Sequence, residues 1–99
     1  RDYAFLLFNR EKYGQALPLL ERLAGGETSV KVLRALGEAY GALGRAEAAA
    51  QTYRRVLQRR PDDLQALQRL VIAYERLGDE AAVNELRTRL QRVRTDEDE

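Results

Sequence analysis

Of the 17 basic residues, 15 are arginine, and they hold most of the polar chemistry this chain can offer. A guanidinium presents a planar fork of donors that fits carboxylates and phosphates, yet it keeps its proton at any ordinary pH. It therefore recognises anions and does not act as a base. Arg54, Arg55, Arg59 and Arg60 fall close together, and four phosphate contacts would give measurable, salt-dependent nucleic-acid binding. The end of a helix is also where the backbone dipole favours cations. No aromatic residue interleaves with the cluster to stack on bases, so nucleic-acid binding is the alternative reading and not the principal one.

Other chemistry is sparsely provided for. With no Cys there is no thiol nucleophile, disulfide or Cys-ligated zinc, and with no His the commonest metal ligand and general base are missing. Ser29 is the only serine and directly precedes an apolar-periodic run, the place of a helix cap. The acidic pairs Asp62-Asp63 and Asp79-Glu80 stand at equivalent places, where capping accounts for them. The sequence thus predicts no enzyme, no metal site and no cofactor.

Whatever these residues do, helices must position them. Ala, Leu, Arg, Glu and Gln dominate the 99 residues, and only Pro18 and Pro61 interrupt helical propensity. Val30, Leu33, Leu36, Ala39, Tyr40 and Leu43 step by three and four, as one stripe of an amphipathic helix, which Gly44 ends. Ala46, Ala49, Ala50, Tyr53, Val56 and Leu57 line a second helix, from about Arg45 to Arg59. Leu64, Leu67, Leu70, Ala73, Tyr74 and Leu77 repeat the first stripe, and Ala82, Val83, Leu86, Leu90 and Val93 line a last helix. Ahead of these, Asp2 to Asn9 reads as a short helix, and the helix after it holds Pro18. Residues 95–99 carry four acids and read as a disordered tail, so residues 1–94 hold a net charge of +5. The absence of Met, the initiator included, reads as part of a longer protein. No apolar run approaches a membrane span of ~20 residues.

Self-similarity organises the chain. Ala39-Tyr40-x-x-Leu43-Gly44 recurs as Ala73-Tyr74-x-x-Leu77-Gly78, 34 residues on. Leu36-Gly37, Tyr40, Ala49, Tyr53 and Pro61 stand at the spacings of the tetratricopeptide repeat, and the chain resembles that family. The resemblance implies an all-α, right-handed α-α superhelix of about three repeats: a degenerate one over 1–29, a strong one over 30–63 and a looser one over 64–94. In the last, Val71 replaces the glycine and Thr95 the proline. In the first, Ala16 and Leu20 fill the small and large positions, and Gly25-Gly26 closes the repeat. Tyr40 and Tyr74 are expected as core between layers.

The resemblance also implies a function. Such repeats act as non-catalytic protein-interaction scaffolds whose first helices line a concave groove for a peptide or protein. Matched spacing places Lys31, Arg34, Glu38 and Ala42 there, with Gln65, Gln68, Arg69, Ile72 and Arg76 from the next repeat and Phe5, Phe8 and Asn9 from the first. Lys31, Arg34, Arg69 and Arg76 would form a positive strip suited to an acidic segment. The chaperone-tail clamp known in some relatives is absent, because Glu38 stands where its asparagine belongs. The stripe Val83, Leu86, Leu90 and Val93 is expected to lie uncovered and to drive self-association through the solenoid ends. Ala/Leu/Arg-rich repeats of this kind suggest a bacterial protein, periplasmic or cytoplasmic, in exopolysaccharide secretion or pilus assembly.

Overall fold

The computed structural model describes residues 2–25 and 28–98, which form six α-helices and no strand. They are α1 (Asp2–Asn9), α2 (Tyr13–Leu23), α3 (Val30–Ala42), α4 (Ala46–Arg59), α5 (Leu64–Leu77) and α6 (Glu80–Asp98). Each packs on its neighbours in sequence, and α1 also reaches α3. Contacts that never leave the adjacent units are the mark of a solenoid, and the helix pairs wind as a right-handed α-α superhelix. Leu20, Leu33, Leu67 and Val56 are its most deeply buried large side chains.

Local chemistry sets the helix limits. The Ser29 hydroxyl accepts from the Val32 amide at 3.2 Å, Asp63 from Ala66 at 2.9 Å and Asp79 from Ala82 at 3.1 Å. The repeat is also written in the turns. Gly44 and Gly78 take left-handed φ values of 77° and 76°, and each lets the next amide reach back five residues, Arg45 to the Tyr40 carbonyl and Asp79 to that of Tyr74. Lys12 makes the same bond to the Leu7 carbonyl, so Glu11 occupies the glycine's place at φ 60°. A side chain there is strained by about 1–2 kcal/mol. Glu11→Gly is therefore expected to raise the midpoint of urea unfolding, equivalent to about 0.5–1 kcal/mol once glycine's greater freedom in the unfolded chain is set against it. An unchanged or lowered midpoint would contradict that account of the turn.

Several expectations change. Helix α6 runs through Asp98, so residues 95–98 are helical and not a disordered acidic tail; after Gly78 no Gly or Pro stops the helix, and the Thr95 hydroxyl bonds back to the Gln91 carbonyl. Residue 99 lies outside the described residues, as does Gly26. Val83 and Leu86 are buried against the core, with Leu90 and Val93 partly buried beside them. That stripe faces inward, because a terminal helix must still cover its own partner, and is not the uncovered face the sequence suggests. Tyr40 and Tyr74 are only half-buried, with their hydroxyls bridging layers: Tyr40 donates to Glu21, and Tyr74 accepts from Arg54 at 3.2 Å. The buried aromatic is Tyr53, 2% exposed.

Candidate functional site

Two adjoining cavities run across the first helices of the hairpins and meet at Glu38. The outer one, about 250 Å³, lies between Phe5, Phe8 and Asn9 of α1, Lys31, Arg34 and Glu38 of α3, and Gln65 of α5. The inner one, about 230 Å³, has Glu38 and Ala42 of α3 on one wall and Arg69, Ile72 and Arg76 of α5 on the other, with Tyr13 at its edge. Its floor is made of small residues, among them Gly37, Ala46 and Ala49. Of the groove residues read from sequence, only Gln68 borders neither cavity; it is exposed. Ile72, 43% exposed, offers an apolar contact within the polar wall.

The cations in this face are not a free strip. Arg34 is ion-paired with Asp63, whose carboxylate is 5% exposed and also caps α5. Arg69 stands 3.9 Å from Glu38, a loose pair without hydrogen-bond geometry. Arg76 donates to the Gly41 carbonyl at 3.1 Å, and the Lys31 ammonium lies 4.8 Å above the Phe5 ring. Spacing along one helix tells which face a cation occupies. It does not tell which oxygen of the next helix stands opposite.

Tyr53 forms part of the inner floor. Its ring presses on Gly37 so closely that a Cβ there would come within 2.7 Å of the ring's Cζ, which explains why glycine occupies that helical position. Its hydroxyl is buried with no hydrogen-bond partner. Burial pushes its pKa up to about 12, with Glu38 adding to the rise and Arg69 opposing it. The Tyr13 hydroxyl is likewise raised, by desolvation first and then by Glu38 and Glu11. Sequence reasoning assigned Tyr53 to packing and passed over its hydroxyl, since nothing in the spacing reveals an unsatisfied polar atom.

The α4 arginine cluster serves the solenoid itself. Arg55 and Arg59 donate to the carbonyls of Ala24 and Thr28 in the preceding connection, and Arg54 donates to Tyr74. Arg89 reaches the Pro61 carbonyl in the same way one repeat later. The bonds to Ala24, Thr28 and Pro61 satisfy carbonyls in the connections between helices. Only Arg60 of the four has no such bond among the described residues. Among the described residues no group of three or more potential metal ligands gathers, and no helix is long and apolar enough to cross a membrane.

Comparison with known proteins agrees with this geometry. A solved structure of a MamA mutant superposes with a TM-score of 0.85 at 23% identity, over 92% of this chain and 67% of that one. No curated protein sequence matches. The family model for the tetratricopeptide repeat matches residues 7–71, well over half of the chain. Paired helices, glycine turns repeated at 34 residues and this match lead to one conclusion: the chain belongs to the tetratricopeptide repeat family.

Proposed function

We propose that this chain is a non-catalytic protein-interaction scaffold whose concave face, lined by α1, α3 and α5, receives an acidic segment of a protein partner. The repeat family supports the scaffold role. The observation that carries the acidic preference is the charge of the two cavities. Among the described residues that line the two cavities or pair with those that do, Lys31, Arg34, Arg69 and Arg76 stand against Glu38 and Asp63, so two positive charges go unbalanced after the internal pairs are counted. Gln65 supplies an amide that matches an extended partner backbone, and Ile72 supplies apolar contact. The bacterial exopolysaccharide-secretion or pilus-assembly setting rests on the Ala/Leu/Arg-rich repeats alone.

A ten-residue peptide of alternating Glu and Ala is a suitable probe. Lys31→Glu combined with Arg76→Glu is expected to weaken its binding about tenfold or more, and parent binding should fall as salt rises, because exposed charges are screened. Arg34 is left intact because it holds Asp63. Arg60→Glu with Arg92→Glu, both exposed and outside the two cavities, should change little. Equal loss in both double mutants, or tighter binding of duplex DNA than of the peptide, would sink the concave-face reading.

A further inference from the structure

Tyr53 poses a chemical question that packing does not answer. A buried phenol without a hydrogen bond is less stable than one that is satisfied, and phenylalanine would fill the same volume without that cost. Tyr53 lines the inner cavity, and its buried hydroxyl lies within electrostatic reach of Arg69 and Glu38. At 3.9 Å that ion pair leaves the guanidinium donors geometrically uncommitted. Arg76, on the same wall, bonds to a neutral carbonyl and has no carboxylate partner among the described residues. The cavity thus combines one surplus positive charge, spare forked donors and a deep O–H. All three suit an acceptor that carries negative charge.

We propose that the inner cavity is a specific subsite for one acidic side chain of the partner, whose carboxylate accepts from the Tyr53 hydroxyl and from Arg69 while Ile72 and Ala42 flank its methylenes. This rests on the concave-face reading above and deepens it from general charge attraction to one recognised group. Glu38 sets the selectivity. When the incoming carboxylate takes Arg69, Glu38 remains at the mouth and disfavours a second anion, so the subsite takes one carboxylate and not a run of them. A neutral amide would keep the acceptor but forgo the charge, and an ammonium would meet Arg69 and Arg76.

The test uses the same alternating Glu-Ala peptide beside its Gln-Ala and Lys-Ala counterparts, with binding followed by calorimetry and by backbone amide shifts of Gly37 and Gly41, which border the cavity. Tyr53→Phe is the central variant, since it keeps the ring and removes only the hydroxyl. It is expected to melt no lower than the parent yet bind the Glu-Ala peptide about tenfold more weakly, the loss typical of a hydrogen bond to a charged group. Arg69→Gln should lose at least as much, and the Gln-Ala and Lys-Ala peptides should bind the parent more weakly and shift Gly37 and Gly41 little. If Tyr53→Phe binds as the parent does while Lys31→Glu with Arg76→Glu still fails, the groove reading stands and the subsite is overturned. Equal binding of the Gln-Ala peptide also overturns it. If the Glu-Ala peptide fails to bind the parent at all, the concave-face reading falls, and the subsite with it.

Discussion

Tyr53→Ala is expected to destabilise the chain by about 3–5 kcal/mol, the range for removing a buried aromatic side chain. A domain of this size has only ~5–15 kcal/mol in total, so much of its folded population would be at risk. The loss has two parts. Truncation withdraws the ring from between α3 and α4, and it opens a void against Gly37, which has no side chain with which to refill it. Tyr40→Ala should cost less, about 1–2 kcal/mol, because that ring is half-exposed and its bond to Glu21 lies near the surface. Thermal melts by circular dichroism decide the order. Tyr40→Ala melting below Tyr53→Ala would mean that the buried layer has been assigned to the wrong aromatic.

Asp63→Ala should rank next, at about 2–4 kcal/mol. One substitution removes the cap of α5, typically about 1 kcal/mol, and strips Arg34 of its counter-ion. Arg34 is 32% exposed, so solvent screens part of the second term and holds the total below that of a fully buried pair. Asp63→Asn separates the two contributions. It retains a capping oxygen but no charge, and should lose about half as much by the same reasoning. If the asparagine and alanine variants unfold at the same denaturant concentration, the charge contributes and the cap does not; if asparagine matches the parent, the ion pair contributes nothing. Arg34→Glu would set two carboxylates against each other and should destabilise the fold, so it is a poor probe of partner binding.

The hairpin order and most of the inner stripes of α3, α4 and α5 were legible because they depend on spacing, although Leu43 and Leu77, read into those stripes, are exposed at the hairpin turns. Helical period, capping oxygens and left-handed glycines act within a few residues of chain, and the 34-residue recurrence of Tyr-x-x-Leu-Gly repeats that local code. The family resemblance then placed most of the residues that border the two cavities. Where local code weakens, the reading weakened with it: Glu11 does a glycine's work without looking like one, and nothing in residues 95–98 announces that α6 continues. What only the tertiary structure decided is which atoms meet across helices. Arg34 finds Asp63 at a separation of 29 residues, Arg59 finds the Thr28 carbonyl at 31, and Tyr53 finds no hydrogen-bond partner at all. Long arginine side chains sweep several ångströms, so a face is fixed by sequence period while a partner is fixed by the rotation and spacing of adjacent helices. Those in turn follow from close packing at positions such as Gly37, where an aromatic ring occupies the space a side chain would need.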